Sequence, residues 1–152
     1  VINVDAMGNT YGRTKDIIIV GKGNSNIDQI VESAAKQDKK YVEADAEPEK
    51  GYFYRSDHFE FAKMGVPALY VDGGIDVRGK NKEFGKLKKN EYTENHYHSL
   101  SDEILDEWTY DGMIEDNKIL FRVGYAISQH DEWPTWNEGT EFKAVRETML
   151  TK

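Results

Sequence analysis

The sequence predicts an α/β domain built on a mixed, mostly parallel sheet flanked by helices. Three observations predict it. Apolar, β-branched runs at 1–5 (VINVD), 16–21 (DIIIVG) and 68–72 (ALYVD) have strand composition and are followed by glycine turn signals. Two longer stretches, about 25–39 and 110–129, carry apolar residues at the 3.6-residue period of amphipathic helices. The two kinds of segment alternate along a chain of 152 residues, a length suited to one domain.

The elements follow in order. VINVDAMG suits a buried strand that delivers Asp5 to the edge of the sheet, and Gly8-Asn9 marks the turn after it. GNTYGRTK, at 8–15, has the composition of a hairpin or a loop. Ile27, Ile30, Val31, Ala34 and Ala35 define the first helix, with Ser25 and Asp28 spaced as a capping pair. After the polar ADAEPEKG, Ser56 is placed to cap a short helix that stops at Gly65. Pro67 then opens a strand over 68–72, closed by Gly73-Gly74. Residues 76–96 are polar and rich in lysine between positions 78 and 89, which reads as a solvated loop or a contact surface for an acidic partner. Met113, Ile114, Leu120, Phe121, Val123 and Ile127 form the apolar side of the last long helix, and the tail has room for one short helix more.

Composition narrows the function classes. An apolar fraction of 38% supports a packed core. A net charge of −8 argues against general binding to nucleic acid or to anionic membranes, and the Lys-rich stretch has few aromatics for stacking on bases. No apolar run approaches a membrane span. Without cysteine, a metal must be held by His, Asp and Glu.

Functional side chains in such sheets gather at the carboxyl ends of strands, which makes Asp5 a candidate, although an Asp there is also a common turn former. ENHYHSLSDE, at 94–103, holds His96 and His98 on either side of Tyr97. Residues two apart project to opposite sides of an extended backbone, so the two imidazoles are a poor chelating pair by themselves.

Three motifs in this order are more specific than any one alone. Asn3-Val4-Asp5-Ala6-Met7-Gly8 is followed by Ser56-Asp57-His58-Phe59-Glu60-Phe61 with Gly65-Val66-Pro67-Ala68, and then by Tyr97-His98-Ser99-Leu100-Ser101-Asp102. Together they resemble the C-terminal part of the catalytic domain of co-catalytic zinc aminopeptidases, the bacterial leucyl aminopeptidase type of metallopeptidase clan MH. The family's Asn-x-Asp-Met-x-Gly differs here at Ala6, with the Met one place later. The resemblance runs from Val1 to about Gln129. It implies a three-layer sandwich of the zinc exopeptidase (phosphorylase/hydrolase-like) type, a peptide substrate and a site for two zinc ions. Asp5 would be a terminal carboxylate ligand to one zinc and His98 a terminal imidazole ligand to the other. Tyr97 would donate a hydrogen bond to the oxyanion, Arg55 would line the substrate pocket, His58 would be a structural hydrogen-bonding residue, and His96 would be incidental. Asp102 is a candidate acceptor for the His98 ring.

The same resemblance shows what residues 1–152 do not supply. The family's His-x-Asp pair and its Glu-Glu pair, which provide the bridging ligand, the general base and a further ligand, stand upstream of Asn-x-Asp. The chain opens at Val1 inside a strand, without an initiator Met. It is therefore expected to be a single domain that forms the C-terminal portion of a longer peptidase. It is expected to be inactive alone, with a sheet edge completed by the missing N-terminal portion or by another chain. Relatives of this kind are commonly exported, which implies a secreted or periplasmic location; the residues themselves leave localisation open. Two alternatives stay beside the aminopeptidase. A zinc-dependent glutaminyl cyclase shares the fold, but usually shows Asp-Asp-His where this chain has Ser56-Asp57-His58. A non-catalytic interaction domain of the same fold has no need to keep Asp5 and His98.

Overall fold

The computed structural model describes residues 1–5 and 9–151, so Ala6, Met7 and Gly8 of the first motif lie outside the described residues. Four strands, β1 (Ile2–Val4), β2 (Asp16–Val20), β3 (Tyr41–Ala44) and β4 (Leu69–Gly73), form one sheet in the order β1-β4-β2-β3. β1 runs parallel to β4 and β2 parallel to β3, and the two pairs meet antiparallel at β4 and β2. This is the mixed, mostly parallel sheet of the expected fold class. With β4 between β1 and β2, the stretch around Tyr11 is a connecting loop and not a hairpin. Thr14 bridges to Val77 there.

β3 escapes the sequence reading because it is an edge strand of four residues, of which only Val42 packs against the core. Among the described residues, five α-helices flank the sheet: α1 (Ile27–Gln37), α2 (His58–Lys63), α3 (Lys82–Asn95), α4 (Asp111–Gln129) and α5 (Lys143–Leu150). On one face, Ile17, Ile19, Leu69 and Val71 pack against α1 and α4 through Val31, Ala35, Ile119 and Val123. On the other, Val20 and Tyr70 pack with Phe53, Ala62 of α2, Trp136 and Phe142. The result is an α/β sandwich, and each fully buried aliphatic side chain in it contributes about 1.5–3 kcal/mol.

Both expected caps are rebuilt. Ser25 Oγ accepts from Ile27 N at 3.2 Å, but Asp28 accepts from Gly23 N at 2.6 Å, so the two do not form a reciprocal box. Ser56 does not cap α2, because its hydroxyl is engaged by β1. α2 stops where expected: Gly65 takes a φ of +81°, and a Cβ there would lie 2.7 Å from Arg146 N.

The buried stripe of α4 is Gly112, Asp116, Ile119, Leu120 and Val123, whereas Ile114 and Phe121 point outward. The inward carboxylate is what disguises the stripe in the sequence. Asp116 is satisfied by Lys40, which is itself buried, with Nζ 2.5 Å from Asp116 Oδ1, 2.9 Å from Thr14 Oγ1 and 3.3 Å from Glu115 Oε2. Asn9 Nδ2 donates to the other Asp116 oxygen. Burial pushes the Asp116 carboxyl up to about 6, and Lys40 and Asn9 oppose that rise. The network ties the loop after β1 to the first turns of α4.

The Lys-rich segment, expected as a loop, contains α3. Asn81 caps it, its side chain accepting from Phe84 N at 2.9 Å. The helix has no apolar stripe to reveal it, since its only buried residue is Gly85. It is fastened by charge instead. Lys82 pairs with Glu43 at 2.6 Å and Lys89 pairs with Asp72, one residue from each of two strands.

Candidate metal and catalytic site

Successive residues of a strand face opposite sides of the sheet, so Asn3 and Asp5 share a side and Ile2 faces the other, against Gly124 of α4. On the Asn3 side the chain just before α2 closes in. Asn3 Nδ2 donates to Ser56 Oγ at 2.8 Å, and Ser56 Oγ donates to Asp5 Oδ2 at 2.9 Å. The relay holds one carboxylate oxygen of Asp5 and leaves the other outside it. Asp5 thus stands at the carboxyl end of an edge strand, as the sequence predicts.

β4 brings its own polar pair to the same place. Val4 lies opposite Val71 in parallel register, so Asp72 is the next neighbour of Asp5 and Tyr70 shares its side of the sheet. Asp72 Oδ1 accepts from Gly73 N at 2.7 Å, and its other oxygen takes Lys89. The Tyr70 hydroxyl is pushed far up from its ordinary pKa, first by burial and then by the negative charges of Asp72, Asp5 and Asp45. It therefore stays protonated.

The third motif follows α3. His96 N and Tyr97 N both donate to Tyr92 O, at 2.9 and 3.0 Å, and turn the chain at the helix end. His98 takes a φ of +57°, the left-handed region, which a non-glycine residue enters at a cost and which is a recurrent feature of functional loops. The rings of Tyr97 and His98 stack at 3.9 Å with an interplanar angle of 20°, and both side chains are exposed. His96 is not incidental to the loop: its Nδ1 donates to Ser101 O at 2.8 Å, and its ring stacks on Tyr92. Asp102 Oδ1 accepts from the Tyr92 hydroxyl at 2.9 Å, and no hydrogen bond joins Asp102 to the His98 ring among the described residues.

Arg55 is exposed. Its guanidinium lies 5.8 Å over the Tyr52 ring and donates to Lys50 O at 3.4 Å, without a hydrogen bond or ion pair to Asp5, Tyr97 or His98. His58 departs from its expected role. The ring is fully buried against Phe53, at 4.5 Å, and Tyr70, and neither nitrogen has a hydrogen-bond partner among the described residues. Burial drives its pKa down to about 4, so the imidazole is neutral and packs as an aromatic.

Among the described residues, no three His, Asp or Glu side chains are grouped to hold a metal ion. Asp5 and His98 are donors of the right chemistry for zinc, but protein zinc sites ordinarily use at least three protein ligands. Residues 1–121 match peptidase family M28. The chain belongs to that family. M28 is a co-catalytic zinc peptidase family, so the membership carries hydrolase and metallopeptidase chemistry in general terms. The match spans β1, the α2 motif, α3 and the Tyr97-His98 loop, and ends inside α4. No curated protein and no solved structure matches the chain. Of the residues around Asp5 in this M28 chain, sequence reasoning missed Tyr70, Asp72 and Lys89. The available signal was YVDGG, a strand ending in Asp before glycine, the same pattern that singles out Asp5.

Proposed function

We propose that the chain is part of the catalytic domain of a zinc aminopeptidase that removes N-terminal residues from peptides. In this reading Asp5 is the terminal carboxylate ligand of one zinc, His98 the terminal imidazole ligand of a second, and Tyr97 the donor to the oxyanion. The observation that carries it is the oriented carboxylate. In a chain of family M28, Asp5 is held by Ser56 at the end of a strand, and in the third motif the ring of His98 stacks on that of Tyr97 in an exposed loop.

The metals, when bound, polarise the scissile carbonyl and acidify a water. The residues of this chain do the positioning. Ser56, itself oriented by Asn3, holds one oxygen of the Asp5 carboxylate, which reduces the ordering to be done on ligation. The Tyr97 hydroxyl stabilises negative charge as it develops on the carbonyl oxygen, a contribution of about 3–4 kcal/mol for one well-aimed donor. Arg55 lines the substrate side. The remaining ligands and the general base come from a segment that adds to the open side of β1. Val4 is exposed there, and Phe121 and Tyr125 are exposed on α4, on which Gly124 contacts Ile2 of β1. The 152-residue chain alone is therefore inactive.

Elemental analysis of the dialysed chain is expected to find little zinc. Addition of an M28 segment bearing His-x-Asp and Glu-Glu is expected to bring zinc towards two per complex, together with hydrolysis of aminoacyl-p-nitroanilides. Asp5→Asn and His98→Ala are each expected to abolish both. Full zinc loading of the chain alone that survives His98→Ala would rule out the ligand assignment.

A further inference from the structure

The loops on either side of the Thr14–Val77 bridge enclose an open cleft of about 380 Å³. Arg13, Arg78 and Lys80 stand around it, Tyr11 and Phe84 supply apolar surface, and Asp111 contributes the one carboxylate of its lining. Three cations around one cleft run against a chain that carries −8 overall. The frame is fixed: Arg78 N donates to Arg13 O at 2.9 Å, and the Tyr11 hydroxyl donates to Gly74 O at 3.0 Å. Arg78 is preset by Glu115 at 3.1 Å and by Asp38 O at 3.0 Å. The other two cations are loosely engaged. Arg13 approaches Asp111 only at 3.5 Å, with both side chains about half exposed. Lys80 has no carboxylate within salt-bridge distance among the described residues, and its ammonium sits 5.5 Å over the Phe84 ring.

We propose that this cleft is a binding site for a short acidic peptide segment. Side-chain carboxylates of the segment meet Arg13 and Lys80, with Arg78 behind them, and its methylenes lie on Tyr11 and Phe84. A cleft of this volume falls within the range of ligand sites, and guanidinium forks match carboxylates two bonds at a time. A peptide fits better than a lone phosphate. Phosphate sites converge backbone N–H groups on one point, commonly a helix N-terminus, and the first turn of α4 already carries Asp111. Here the cations are spread over an apolar floor. Asp111 is the internal competitor: a ligand carboxylate takes its place on Arg13. Asp5, Tyr97 and His98 are not among the residues that line the cleft, and the proposal does not depend on the peptidase reading.

The test is fluorescence anisotropy of a labelled hexaglutamate peptide, blocked at both ends so that it cannot act as an aminopeptidase substrate, titrated with the 152-residue chain. Saturable binding is expected, weakening with added salt. The R13Q/K80Q pair is expected to weaken it about tenfold, and Asp111→Asn to tighten it severalfold. Both variants replace exposed side chains, and unchanged thermal midpoints verify the fold; Lys80→Gln alone serves if the pair unfolds. Inorganic phosphate at millimolar concentration is expected to leave the peptide bound. Absent binding, binding indifferent to these substitutions, or displacement by phosphate as readily as by unlabelled peptide would overturn the assignment.

Discussion

The hydroxyl of Ser56 donates to Asp5 Oδ2 at 2.9 Å, so the carboxylate at the end of β1 is aimed by a residue from the approach to α2. The same hydroxyl accepts from Asn3, which leaves it no freedom to cap the helix. Ser56→Ala removes both bonds at once. The expected cost is about 1 kcal/mol of stability and about 10- to 100-fold in metal affinity of the completed site. Urea unfolding of the chain reads the first, and competition of zinc against a chelating dye reads the second. Ser56→Thr, which keeps the hydroxyl, is expected to restore most of both.

α3 rests on two partly exposed ion pairs and buries only Gly85, so its attachment is expected to respond to ionic strength where α1 and α4 do not. Lys89→Ala frees Asp72 beside Asp5 and loosens the helix that leads to Tyr97 and His98. Hydrogen exchange is expected to accelerate severalfold over 82–98 in this variant, and in the unaltered protein at high salt. Protection of α4 should stay constant in both cases.

These two relationships mark where the sequence is readable. Asp5 at a strand end, α1, the stop of α2 at Gly65 and β4 all follow from apolar period and turn chemistry, because each buries a face or spends a glycine. α3 buries no apolar stripe, so a rule built on hydrophobic period finds nothing in it. In α4 the inward carboxylate of Asp116 hides the true stripe, and its partner Lys40 is distant in sequence. Ser56 has the right residue type and position for a cap, and only the fold shows Asn3 and Asp5 competing for it. Asp72 ends a strand before glycine as a candidate of the same pattern as Asp5, but its place beside Asp5 follows from the parallel register of β1 and β4, which the strands alone do not specify.

His58 makes acid stability predictable. In the folded chain its pKa lies at about 4, against about 6.5 when unfolded. Between those values the unfolded state holds a proton that the folded state lacks. Its contribution is therefore intact above pH 6.5 and is lost as pH falls towards 4, by about 3 kcal/mol over the window. His58→Phe removes the titration. Whatever its packing offset, the difference in unfolding free energy between variant and parent is expected to grow in favour of the variant from pH 7 to pH 5. A difference that does not change with pH would show that His58 is solvated in the folded state.

Lys40 and Asp116 give a pH response of the opposite sign. Lys40→Met strands a buried carboxylate, and breaking such a pair from one side commonly costs about 3–5 kcal/mol. The Asp116 carboxyl, already raised to about 6 by burial, rises further once the ammonium is gone. Protonation then relieves the charge in the folded state, so stability of the variant falls as pH rises through that value. Urea unfolding is expected to show a smaller loss at pH 5 than at pH 8. The added substitution Asp116→Leu is expected to recover much of the loss at pH 8, because it removes the uncompensated Asp116 charge and leaves Asn9 and Glu115 Oε2 as the polar groups to be satisfied. Equal losses for Lys40→Met at both pH values would mean that Lys40 acts through its bond to Thr14 and not through its charge.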